Sequence, residues 1–300
     1  MRNFIIRNTL RLNFISRLWI LSILSITTVS TIAYAQSTYP NRPIKFIAPF
    51  PPGGTSDVLG RIMAQKLSDA LGQSVIVENR PGASGNIGHD IAAKAAPDGY
   101  TLLLSNSSTV VNNPHLFKQM SFDWYKDFSP ISMVAIAGLV LVVHPSVPVK
   151  SVSELTTLAK SKPGLLNYAS SGSGSTSHLA MEQFNRMADV KIVRVPYKGA
   201  APAVNDLLSG NVQVMLMGLT TVLPFIQAGK LTAIGVSSNK PSPVAPNIPT
   251  ITGSGLPGFE ASNWLGFFVP TNTPTNIVNK LKKNFPDIPV ICFPKGINEN

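Results

Sequence analysis

The chain has 300 residues, 44% of them hydrophobic, enough to bury the cores of two domains of ordinary size. Its formal charge of +11 is scattered, with no run of five basic residues, which argues against nucleic acid and for a solvated surface with some attraction for anions. The single Cys292 and the lack of any Cys/His cluster exclude an internal disulfide framework and a zinc site.

The first 35 residues read as a cleavable secretory signal. Arg2, Arg7, Arg11 and Arg17 come without an acid, an apolar run spans Leu18 to Ile32, and Ala33-Tyr-Ala35 offers a small-residue cleavage site before Gln36. An uncleaved anchor is the competing reading, but Ser22, Ser25, Thr27, Thr28, Ser30 and Thr31 dilute the run below the roughly 20 apolar residues a span needs. Cleavage leaves 300 − 35 = 265 residues and a charge of 11 − 4 = +7.

Ile44–Ala48 reads as a buried strand, and Val58, Leu59, Ile62, Met63, Leu67, Ala70 and Leu71 recur at the spacing of one helical face. Pro49 to Asp57 joins them through Gly53 and Gly54, which accept φ > 0 and carry no Cβ. Backbone N–H groups at the helix start can therefore face a small ligand, and the helix dipole favours an anion. An ordinary turn capped by Thr55, Ser56 or Asp57 is the alternative. Strand patterns follow at Val75–Glu78, Thr101–Leu104, Leu139–Val143, Ile192–Val195, Val212–Met217, Leu231–Val236 and Leu265–Val269. Helical patterns sit between them at Asn86–Ala95, Val152–Lys160, Ala201–Leu208 and Val222–Ala228. Such alternation predicts an α/β architecture with mainly parallel sheets.

Asn167 to Leu179 repeats the strand, loop, helix arrangement, with Leu179, Phe184 and Met187 on the helix. Hydroxyls and amides from Ser171 to Ser177 make a neutral nest able to hold a carboxylate without a cation. Two such loops suggest two walls of one site. Ser105, Asn106 and Ser107 follow a strand end, where ligands sit in open α/β sheets; loop capping is their alternative role. Tyr197 and Gly199 occupy the equivalent place after Ile192–Val195. His178, in the first turn of its helix, is expected to be neutral, while His89, His115 and His144 read as structural or surface residues. Enzyme signatures are missing. Gly172-Ser-Gly-Ser-Thr176 has glycine where a hydrolase nucleophile would stand, and Ser177 replaces the third glycine of a dinucleotide fingerprint.

The residues also carry a family resemblance. Tyr39-Pro-Asn-Arg-Pro-Ile44, Pro51-Pro-Gly-Gly54 with Asp57, Val77-Glu-Asn-Arg-Pro-Gly-Ala-Ser-Gly85, Pro97-Asp-Gly-Tyr-Thr101 and Asp127-Phe128 are followed by Pro163-Gly164, Tyr168-Ala-Ser170, Gly172-Ser-Gly-Ser175, His178-Leu179, Val195-Pro-Tyr-Lys-Gly199, Ala228-Gly-Lys230, Ile248-Pro-Thr250 and Trp264. In that order they resemble the Bug family, the extracytoplasmic solute receptors of tripartite tricarboxylate transporters. The resemblance covers roughly Tyr39 to Thr275. It implies a type II periplasmic-binding-protein fold, two lobes joined by two crossing segments: signal peptide 1–35, lobe 1 from 36–137 plus 256–300, and lobe 2 from 138–255. It further implies a monomeric periplasmic protein, without cofactor or enzymatic activity, that takes a small organic carboxylate to membrane transporter subunits. A membrane-anchored or chemosensory receptor of the same fold is the alternative.

By the same resemblance, the loops Phe50–Asp57 and Ser171–His178 grip one carboxylate, helped by ordered waters. The positions carried over are Phe50, Pro52, Gly53, Gly54, Thr55, Asp57, Ser171, Gly172, Ser173, Gly174, Ser175 and His178, with Ser105, Asn106, Tyr197 and Gly199 toward the far end. Asp57 is expected to brace the helix start more than to touch the ligand, since a carboxylate beside a bound carboxylate is unfavourable. The tail from Asn284, with Pro286, Pro289 and Pro294, departs from the family, which continues with helix there; a truncated or degenerate, non-functional gene product is the expectation that departure raises.

Overall fold

The computed structural model describes residues 39–284. The secretory signal, Cys292 and the proline-rich tail lie outside the described residues.

Three parallel strands open the fold. β1 (Ile44–Ala48) pairs with β2 (Val75–Asn79) on one side and β3 (Thr101–Asn106) on the other, with α1 (Thr55–Leu71) and α2 (Asn86–Ala93) in the crossovers. A π-helical turn (Ser108–Asn112) and two single-turn helices, α3 (Asn113–Leu116) and α4 (Trp124–Asp127), lead to the long β4 (Phe128–Val143). After it come α5 (Val152–Ser161), β5 (Asn167–Ser170), α6 (Thr176–Ala188), β6 (Val193–Pro196), α7 (Ala200–Leu208), β7 (Val214–Gly218), α8 (Leu219–Gln227) and β8 (Thr232–Val236). β9 (Ser262–Pro270) and α9 (Thr275–Lys283) return to the first half.

β4 and β9 are the two crossing segments. From Phe128↔Pro270 to Gly138↔Ser262 they run antiparallel, with β9 also paired to β3. The last five residues of β4 leave β9 and pair with β7 and β8. The sheet order is therefore β2-β1-β3-β9-β4-β7-β5-β6, with β8 also on β4. Register shifts at Pro130/Ser132 and Met133/Ala135 bend β4. They also explain why its first half escapes sequence reading: bulges and Pro130 interrupt its regular alternation, whereas Leu139–Val143 is a continuous apolar run. In that tail the period is intact. Leu139, Leu141 and Val143 join Tyr168, Phe184 and Phe259 on one face, while Val140 and Val142 join Leu207, Met215 and Val222 on the other. Leu256 and Phe259, just before β9, pack in the same core as Tyr168 and Phe184.

Two helical faces differ from expectation. α1 buries Gly60, Met63, Ala64 and Leu67 and leaves Val58 and Ile62 exposed, because Gly60 lets the helix settle on Phe46 and Leu104. α6 likewise buries Ala180, Met181, Phe184 and Ala188, leaving Leu179 and Met187 partly exposed. Small residues mark the approach sides in both helices, which apolar spacing alone does not reveal.

Candidate functional site

Every crossover helix that leaves the C-terminal end of a parallel strand carries its N-terminus to one place. The caps of α1, α2, α6, α7 and α8 are Gly54, Gly85, Ser175, Gly199 and Gly218, and all five line a single cleft of about 630 Å³. Four are glycines without a side-chain capping bond, so the first-turn amides of these helices are not claimed by a cap. Their dipoles converge on the cleft and favour negative charge there. Among the described residues no aspartate or glutamate lines it, and Lys198 is the lining residue that carries a cationic side chain. The rest is neutral: Ser84, Asn106, Ser108 and Asn263 among polar groups, Phe50, Leu139 and Met217 among apolar ones.

The first wall is held from behind by Asp57. Its Oδ2 accepts from the Gly53 amide (3.0 Å), its Oδ1 accepts from Asn79 Nδ2 (2.9 Å), and Arg61 Nη2 stands 3.0 Å away. Asn79 also donates to the Phe50 carbonyl (3.0 Å), tying β2 to the loop. Burial by itself would raise the Asp57 pKa, but the Gly53 amide, Asn79 and Arg61 together hold the carboxyl below its ordinary value. Asp57 is thus an ionised brace facing away from the cleft. Phe50, Gly54 and Thr55 line the cleft, whereas Pro52, Gly53 and Asp57 do not.

In the second wall, Ser171, Gly172, Ser173 and Ser175 line the cleft and Gly174 and His178 stand behind it. The Ser171 amide donates to Ser177 Oγ (3.0 Å), Ser175 Oγ donates to the Gly172 carbonyl (2.8 Å), and Arg194 Nη2 donates to Ser173 Oγ (3.1 Å). Much of the hydroxyl capacity is spent on shaping the loop. The Gly174 amide donates to His178 Nδ1 (3.2 Å), which requires a lone pair on that nitrogen. Burial, then the Arg194 charge, lowers the His178 pKa, so the ring is neutral as expected.

At the far end, Asn106, Tyr197 and Gly199 line the cleft, and Ser105 does not. Ser105 is buried against His89, whose Nε2 lies 2.8 Å from Ser105 Oγ and whose Nδ1 lies 2.7 Å from the Gly85 carbonyl. A carbonyl only accepts, so Nδ1 carries the hydrogen and Nε2 accepts from serine. His89 is fully buried among Phe122, Trp124 and Phe128. Burial pushes its pKa down to about 4. The structural reading of His89 was right in kind, but this histidine also anchors a wall of the cleft.

That wall was missed. Gly82, Ala83, Ser84 and Gly85 are consecutive residues with φ of 134°, 46°, 55° and 95°, a left-handed turn facing the cleft. Two of the four are not glycine, at a cost of about 1–2 kcal/mol each. The turn persists because its polar groups are tied down: Gly85 N–H to Gly82 O (2.9 Å), Asn113 Nδ2 to Ser84 O (3.1 Å) and Ser84 Oγ to Ser173 O (2.8 Å). Pro81-Gly82 signals only a turn, and nothing local announces Ser108, Gly218 or Asn263, which arrive from distant elements.

The two sheet halves touch directly across the cleft. Besides Ser84 and Ser173, Thr55 Oγ1 lies 2.9 Å from Thr221 Oγ1, Ser108 Oγ lies 2.8 Å from Thr176 Oγ1, and Asn112 Nδ2 donates to the Gly174 carbonyl (3.1 Å). The arrangement is a cleft bridged by these hydrogen bonds, its wall mostly neutral apart from Lys198, with positive helix ends inside. Among the described residues no cluster of three or more His, Cys, Asp or Glu can hold a metal, and no helix is long and apolar enough to cross a membrane.

Residues 59–288 match the family described as tripartite tricarboxylate transporter family receptor (TctC). The chain is 41% identical over 251 residues to Protein BugT of Bordetella pertussis, covering 83% of this chain and 77% of that protein. Among solved structures it is similar to an R. palustris protein with adipate (37% identity, TM-score 0.81, 82% of this chain and 83% of that one). It is also similar to MatC of Rhodopseudomonas palustris with bound malate (32% identity, TM-score 0.76, 82% and 84%).

Proposed function

The chain belongs to the tripartite tricarboxylate transporter receptor family, a family of solute receptors and not of enzymes, and we propose that it captures a small organic carboxylate between its lobes for the membrane subunits of such a transporter. The observation that carries this reading is the convergence of five helix N-termini on one cleft, with no acidic side chain among the described residues of its wall. Relatives solved with adipate and malate are consistent with it. Phe50, Gly54, Thr55, Ser171, Gly172, Ser173, Ser175, Asn106, Tyr197 and Gly199 are assigned to the ligand. Pro52, Gly53, Asp57, Ser105, Gly174 and His178 are assigned to the support behind them. The protein is placed in the periplasm, released by cleavage after Ala35, and acts as a monomer.

A thermal-shift panel of carboxylates on the mature protein tests the function. A true ligand at 100 times its Kd stabilises by about 2.7 kcal/mol. A panel in which no carboxylate moves the melting temperature, or turnover of a bound acid by the pure protein, would sink the reading.

A further inference from the structure

We propose that Lys198 is a specificity residue of this cleft: its ammonium reads a second negative charge on the ligand, so that the protein prefers a dicarboxylate over the monocarboxylate of equal chain length. This rests on the carboxylate reading above.

Lys198 sits in the turn between β6 and α7 and lines the cleft. The turn is held at both flanks. The Tyr197 hydroxyl donates to Asp206 Oδ2 (2.6 Å). Gly199 has φ 127°, and a Cβ there would come within 2.7 Å of Pro51 Cγ, so the backbone is pressed against the opposite wall. Lys198 itself is exposed, and no carboxylate of the described residues pairs with it. The nearby Arg194 is different: its Nε and Nη2 are spent on Ser170 Oγ and Ser173 Oγ.

The electrostatics then divide the work. Helix N-termini carry only partial positive charge, suited to one carboxylate held by amides. A second carboxylate in an otherwise neutral cleft loses hydration without a compensating charge. Among the described residues Lys198 is the lining residue with a cationic side chain, and its flexible stem can bring the ammonium to that carboxylate. A lysine is a compact charge on a flexible stem, which fits ligands of more than one length, and its exposure keeps the effect moderate and salt-sensitive.

The test is calorimetry on the full mature protein with the matched pairs succinate and butyrate, and adipate and hexanoate. The proteins compared are the unsubstituted one, Lys198→Met and Lys198→Arg. The unsubstituted protein is expected to favour the diacid of at least one pair. Lys198→Met should weaken that diacid by about tenfold and move its monoacid by less than about twofold. Lys198→Arg should restore most of the loss, and added salt should shrink the diacid advantage. Equal weakening of diacid and monoacid, no change in either, or a preference for the monoacid overturns the proposal while leaving the carboxylate reading standing. Failure of the unsubstituted protein to bind either pair, or any acid of the broader thermal-shift panel, removes both.

Discussion

At the scale of single residues, two loop glycines that looked alike in sequence, Gly54 lining the cleft and Gly174 behind it, have different jobs. Gly54 has φ −85° and a Cβ there would meet Ala200 Cβ at 3.6 Å, an ordinary contact. Gly174 has φ 75°, and a Cβ there would fall 2.3 Å from Leu116 Cδ1 across the cleft. Gly174→Ala should therefore weaken ligand binding by about tenfold, through backbone strain of about 1–2 kcal/mol and a blocked approach of Leu116. Gly54→Ala should change affinity far less. Calorimetry of both variants checks this, and equal losses would show that the contrast in backbone geometry is irrelevant. His89 gives a pH dependence. Its folded pKa is lowered from the ordinary 6.5 to about 4, so below pH 6.5 the unfolded chain binds the proton that the folded ring refuses. Stability is full above pH 6.5 and falls through the window from 6.5 to 4, by roughly 3 kcal/mol from this residue. Urea titrations at several pH values should show that slope, and His89→Gln should flatten it even if the variant starts less stable.

At the scale of elements, the π-helical turn and α3 form a clasp on the loop that precedes α6. Ser108 meets Thr176, Asn112 donates to the Gly174 carbonyl, and Leu116 packs beside Gly174. None of these bonds involves a ligand, so they tie the two sheet halves together by themselves. Asn112 does not line the cleft. Asn112→Ala removes one hydrogen bond worth about 1 kcal/mol and should lower the closed population. The expected result is a uniform loss of about fivefold for every ligand the protein binds, with a larger radius in small-angle scattering without ligand. A changed ranking of ligands would mean instead that Asn112 contacts the bound molecule.

At the scale of the whole molecule, local physics and long-range packing left separate marks. Ile44–Ala48 and the intact half of β4 were legible because short apolar runs are local properties. So were the two Gly-rich loops that open helices, since φ > 0 and unpaired first-turn amides follow from the residues in place. The ordered motifs from Tyr39 to Trp264 already pointed to the receptor family, and the neutrality of the Ser/Gly loops already pointed to an anion held by backbone. The tertiary structure alone decided which groups line the cleft. Thr55 meets Thr221 across 166 positions and Ser107 meets Asn263 across 156. Such pairings depend on sheet order and strand register, which no local window contains. The same reason explains the partner of Asp57: the residue was expected to brace the helix start, but that Asn79 on a neighbouring strand holds it was not legible locally. It also explains the left-handed turn at Ala83 and Ser84, which is unfavourable by itself and exists because distant partners hold its carbonyl and hydroxyl in place.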